Sequence, residues 1–212
     1  MRLSRWIVLA TALMLTLLSA TGCGSTLQPF DAPTDASTIR MILSESVLTP
    51  EDLPPGFALT PLSAAGYTLQ DLSTEELRAE SAFFLFNDQT AEGIMGHVVS
   101  LIDASAQSAF ECVLEAPDGY MMGFISGMGD PEVLEQTRLS HLDDIGNAAM
   151  GYSLLVDLRG IPMRIGIVVF QRSFVGAFVH TFQPESTGPI VTAEEVAGRL
   201  DARIVELLSS SE

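Results

Sequence analysis

Lysine is missing from this 212-residue chain, and its ten basic residues, all arginine, face 27 aspartates and glutamates for a net charge of −17. That imbalance argues against a nucleic-acid-binding face, which needs clustered cations to displace counterions from phosphates. It also leaves no polybasic patch to hold anionic lipid headgroups. Cysteine is nearly as scarce, with two in the chain, so a disulfide-dense scaffold is ruled out and stability must come from a core. Long apolar runs are lacking too. The longest, Trp6 to Ala20, has 15 residues and is interrupted by Thr11, Thr16 and Ser19, whereas a spanning helix takes about 20 predominantly apolar residues.

The familiar catalytic signatures are also absent. Gly123-Phe124-Ile125-Ser126-Gly127 has the wrong spacing for a nucleophile elbow. The glycines at 123, 127 and 129 sit among methionines with no strand before them, which fits neither a dinucleotide fingerprint nor a phosphate loop. His97, His141 and His180 are far apart, and His141 with Asp143 and Asp144 reads as a solvated turn rather than a cation site. No metal or cofactor is expected, and the chain does not read as an enzyme.

What is present begins at the N-terminus. Arg2 and Arg5 precede the apolar run, and the chain turns polar after Cys23, an order of charged, apolar and small residues that marks an export signal. Ala20-Thr21-Gly22-Cys23 resembles the lipobox of bacterial lipoproteins, although Ala20 stands where that family more often has leucine. The resemblance implies cleavage before Cys23, a diacylglyceryl thioether on its sulfur, and an extracytoplasmic domain tethered to the cell membrane. Two or more acyl chains would make attachment stable without any membrane-binding surface on the protein. The mature chain would keep eight arginines against 27 acidic residues and stand off anionic headgroups on its tether. Cys112 would then be a lone, small, buried hydrophobe with no disulfide partner.

Residues 1–22 therefore read as a signal peptide, 23–38 as a lipidated N-terminus and flexible spacer, and 39–212 as one α+β domain. A short helix is expected from Ile39 to Val47, capped by Ser37 or Thr38, then a turn stopped by Pro54-Pro55. Phe57 to Leu69 reads as an irregular edge strand, and Ser73-Thr74-Glu75-Glu76 as a capping box opening a helix to about Glu80. Ser81–Phe86 and Gly93–Ile102 suggest a hairpin, and Ala104–Glu115 an amphipathic helix ended by Pro117. In Asp118–Met128, glycines four apart would form a flat stripe on a helix and let another backbone approach. Each costs about 1 kcal/mol against alanine.

Val133–Leu139 reads as a further strand, ahead of the clearest pattern in the chain. Ala149–Leu158 alternates, Arg159-Gly160 turns, Ile165–Phe170 is continuously apolar, and Arg172-Ser173 turns into Phe174–Phe182. This predicts an antiparallel three-strand meander whose middle strand is covered on both faces. Thr192 to Glu195 opens a C-terminal helix with Val196, Leu200, Ile204 and Leu207 facing the sheet.

Three internal stretches and one near the C-terminus resemble uncharacterised bacterial lipoproteins: Leu48 to Phe57, Asp144-Ile145-Gly146-Asn147-Ala148, Val168 to Arg172, and Leu200 to Ile204. The order of helices and strands is similar to the Mog1/PsbP-like α+β fold. These are turn and helix-end features, so the resemblance implies a fold more than a role.

The expected function is a non-catalytic binding or accessory module for a small apolar ligand or a protein partner. Its candidate pocket lies between the sheet and Tyr120–Met128 and is marked by Tyr120, Met121, Met122, Phe178, His180 and Phe182. His180 shares a strand face with Phe174, Phe178 and Phe182; it reads either as a core-edge histidine satisfied by a carbonyl or as a polar group at the pocket mouth. A cell-envelope hydrolase and a structural or sensory domain are the alternatives.

Overall fold

The computed structural model describes Phe30, residues 35–129 and residues 131–211. The expected signal peptide, Cys23 and most of the expected spacer lie outside the described residues. Among those described, no helix is long and apolar enough to cross a membrane.

Strands β1 (Ala58–Leu59), β2 (Ala79–Asn87), β3 (Glu92–Ser100), β4 (Glu132–Arg138), β5 (Ala148–Leu158), β6 (Ile161–Arg172) and β7 (Val175–Pro184) form one sheet. Its order is β1-β2-β3-β7-β6-β5-β4, and every pairing is antiparallel. The expected hairpin is β2–β3 and the expected meander is β5–β6–β7. They join because β7 pairs with β3, Met95 opposite His180 and His97 opposite Phe178.

Helices cover both faces. On one, α1 (Ala36–Glu45) and α4 (Ala193–Ser209) bury Ile42, Leu43, Val196, Leu200 and Ile204 against Ile94, Val98, Val168 and Phe170. Removing each such side chain from water contributes roughly 1.5–3 kcal/mol. On the other, α2 (Ala104–Glu115) and α3 (Asp118–Gly127) pack Phe110, Met121 and Ile125 over Val99, Leu154, Ile165, Ile167, Val169 and Phe178. Alternate residues of β6 thus enter opposite cores, which is why its sequence is apolar at both parities. An α+β architecture with a helix-backed antiparallel sheet is what the periodicity predicts.

Caps explain where the helices begin. The Thr192 hydroxyl accepts from the Glu195 amide at 3.2 Å while the Glu195 carboxylate accepts from the Thr192 amide at 2.9 Å, closing the expected capping box of α4. Asp103 caps α2 through the Ser105 and Ala106 amides. For α1 the cap is Asp35, not Ser37 or Thr38, and Ala36 already begins the helix, so the expected spacer ends sooner than residue 38. Phe30 also packs against the core.

Two further expectations are corrected. Ser73–Glu80 forms no helix: Thr74 Oγ1 accepts from the Leu77 amide at 2.9 Å and Ser73 Oγ from the Ala79 amide at 3.0 Å. These hydroxyls build a turn that launches β2, the local alternative to a helix that serine and threonine offer. Phe174 departs from the face of Phe178 and His180. The turn at Ser173, φ 54°, sends it into the α1–α4 core.

Candidate functional site

The site is built over the α2–α3 face of the sheet, where α3 stops short of the hairpin. Its glycines 119, 123 and 127 recur every four residues and so share one helix face. The expected close backbone approach is not there: a Cβ placed on any of the three meets nothing within 4 Å. The stripe faces open space instead. Opposite it runs the segment from Gly66 to Thr74, shaped by its own hydrogen bonds. The Thr68 amide and hydroxyl both donate to Asp71 Oδ2 at 2.7 Å, and Ser73 Oγ donates to the Leu69 carbonyl at 2.8 Å. Those donors hold the Asp71 carboxyl below its ordinary pKa.

Between these walls lie two adjoining compartments. One, of about 460 Å³, is bordered by Tyr67, Asp71, Ser73, Thr74, Tyr120, Phe124 and the three glycines, with His97 of β3 among its lining residues. The other, of about 430 Å³, is bordered by Phe84, Phe86, Met95, Met128, Met163 and Phe182. Gly66, Tyr67 and Gly127 belong to both, so they adjoin as one groove with a mixed end and an apolar end. Each volume falls in the range of about 300–1,000 Å³ usual for small-molecule sites.

Beneath the groove the β3–β7 register stacks aromatic rings. His97 lies on Phe178 at 4.5 Å between centroids and 7° between planes, and Phe124 of α3 covers His180 at 4.1 Å and 17°. The Tyr120 hydroxyl and His180 Nε2 are hydrogen-bonded at 2.8 Å. Burial drives His97 down to about 3 and His180 well below its ordinary value, the latter also through its neighbour His97. Burial raises the Tyr120 phenol. All three are therefore uncharged at neutral pH. His97 is 3% exposed, and its Nδ1 has no hydrogen-bond partner. The Met95 backbone opposes the downward shift at His180 in part, and His180 Nδ1 makes no hydrogen bond.

The residues singled out from the sequence are brought together only in part. Tyr120 and Phe182 border the groove. Phe178 and His180 lie a layer below, 1% and 0% exposed, so His180 is held by Tyr120 rather than standing at a mouth. Met121 packs into the core and Met122 is 52% exposed on the outside of α3; neither borders the groove. Sequence reasoning missed His97, Tyr67 and Phe124. The available signal for His97 was a lone polar ring inside an otherwise apolar strand.

No nucleophile relay is assembled here, because Ser73 bonds to backbone and Asp71 to Thr68, while His97 receives neither. Among the described residues no cluster of three or more metal-ligating side chains exists. Cys112, half-buried on α2, is disulfide-bonded, which corrects the expectation of a lone buried thiol. Comparison with family models and with curated proteins finds no match.

Proposed function

We propose that this chain is a membrane-anchored extracytoplasmic lipoprotein whose folded part is a non-catalytic binding module, with the groove beside α3 as its ligand site. The observation that carries the binding function is the pairing of an unpacked glycine face with a buried His97, whose Nδ1 has no hydrogen-bond partner, among the residues lining the same space. Three glycines in a ten-residue helix cost stability, and no packing requirement offsets that cost. Keeping the space open is the reason for them.

Filling the groove tests this directly. Gly123→Leu has room for its Cβ and removes a helix-interior glycine, so stability should rise by roughly 0.5–1 kcal/mol. The same side chain would occupy the mixed compartment. Wild-type protein should bind the uncharged dye Nile red saturably, at one dye per chain, and the variant should not. Equal dye binding by both proteins would retire the groove as the site.

The anchor rests on the residues before Cys23 and on the lipobox resemblance. One sulfur cannot be both half of a disulfide and a thioether, and Cys23 is the chain's other cysteine besides Cys112. A lipid on Cys23 and the disulfide of Cys112 therefore compete for the same sulfur, and intact mass separates the two forms. Intact mass of membrane-extracted protein should show loss of residues 1–22 and addition of acyl chains, with Cys23→Ala released from the membrane. An unlipidated product with Cys23 bonded to Cys112 would refute the anchor.

A further inference from the structure

We propose that the groove takes an uncharged elongated amphiphile, its hydrogen-bonding head on His97 and its tail in the compartment of Phe84, Met95, Met128, Met163 and Phe182. This rests on the groove being the binding site. The division of labour follows from the two linings. The apolar compartment has no side chain with a formal charge, and its methionines and phenylalanines suit a flexible chain that must be accommodated rather than oriented. The mixed compartment adds the hydroxyls of Tyr67, Ser73 and Thr74 and the His97 ring.

Charge selects the head. Neither compartment is bordered by arginine, and Asp71 is the one ionised side chain among their lining residues. A carboxylate or phosphate head would give up water beside a neutral imidazole and a like charge, with no cation to replace the hydration it loses. A cationic head would find only Asp71, whose Oδ2 is already held by two Thr68 donors at the exposed rim. An ester, hydroxyl or amide needs only a hydrogen-bond partner, and His97, a lining residue 3% exposed, carries in Nδ1 a polar atom without one, just under the groove surface, which a small shift of the ring would present to the head. Leaving such an atom unmade is costly, and pairing it on binding recovers that cost.

The test is displacement of Nile red from the full chain by 1-monooleoylglycerol, by oleate and by oleylamine, all below their aggregation concentrations. The glyceride should displace the dye, with the two charged analogues about tenfold weaker or more. His97→Leu should weaken the glyceride about tenfold, and His97→Gln, which restores a hydrogen-bonding group, should recover most of that loss while both variants retain wild-type circular dichroism. Oleate or oleylamine matching the glyceride would overturn the uncharged head, and an undiminished His97→Leu would overturn the anchor on His97. Failure of wild-type protein to bind Nile red at all would instead remove the groove-binding function on which the proposal stands.

Discussion

Replacing Asp201 by alanine is expected to destabilise the protein by about 3 kcal/mol, within the range for breaking a buried ion pair by removing one partner. Asp201 sits on α4, 5% exposed, where its two oxygens accept from Arg172 Nε at 2.7 Å and from the second guanidinium nitrogen at 2.5 Å. Its Oδ2 also accepts from the Gly146 amide at 3.1 Å. One carboxylate thus ties the end of β6, the loop before β5 and the C-terminal helix together. The loop is also held by the Asn147 amide, which donates to the Gln171 carbonyl at 2.6 Å, and this limits how far it can drift to relieve the loss. Arg172 keeps 24% of its side chain exposed and can rehydrate in part, which places the effect at the lower end of the range. Urea titration would read it, and for a domain of this size the midpoint of thermal unfolding should fall by about 6–12 °C. Asp201→Asn, which keeps an acceptor for Gly146, should lose less, and the double replacement Arg172→Met with Asp201→Leu should recover much of the stability. A loss below about 1 kcal/mol for Asp201→Ala would show that the clamp is not a stabilising contact.

The clamp joins parts far apart in the chain: Gly146 from the loop before β5, Arg172 from the end of β6 and Asp201 from α4. The segment Leu48 to Phe57 reaches the same helix, since Arg199 of α4 donates to the Asp52 carbonyl. These contacts fasten the fold and involve no residue that borders the groove.

The fold was legible wherever a local period decided the structure. The alternation of Ala149–Leu158, the unbroken apolar run of Ile165–Phe170 and the spacing of Val196, Leu200, Ile204 and Leu207 each translate into a strand or helix without tertiary information. Ser73–Glu80 failed because the same serine and threonine hydroxyls that could cap a helix can close a turn, and the strand that follows wins. The site was less legible for a different reason. The glycine stripe was visible, but whether it meets a backbone or empty space depends on how far α3 stands from Gly66–Thr74, a distance no local pattern encodes. His97 becomes a groove residue because β3 pairs with β7 in the register that sets it on Phe178, a long-range choice. Of the expected residues on α3, Tyr120 borders the groove, whereas Met121 faces the core and Met122 solvent, and Gly119, Gly123 and Gly127 face the cavity.

Acid should expose the cost of keeping His97 neutral. A histidine whose folded pKa lies below its unfolded value contributes stability that is present above the unfolded pKa, near 6.5, and is lost as the pH falls toward the folded one. For His97 the folded value is about 3, so the loss spans that window, and at about 1.4 kcal/mol per pH unit it amounts to roughly 2 kcal/mol between pH 6.5 and 5. His180, also lowered by burial and by His97, acts in the same direction. Two terms oppose it: relief of repulsion as carboxylates protonate on a chain of net charge −17, and the buried Glu92, whose pKa is raised by burial. These cancel when wild type is compared with His97→Gln at each pH, because both proteins carry them. The stability difference between the two in urea should therefore shift by about 2 kcal/mol against the wild type from pH 6.5 to 5. Parallel curves would mean that His97 is already solvated in the free protein, and the groove would then lack the unpartnered polar atom on which recognition of an uncharged head depends. Above pH 6.5 the imidazole stays neutral, so head-group recognition should be insensitive to pH there, and a binding profile that rose or fell through neutrality would have to come from a group other than His97.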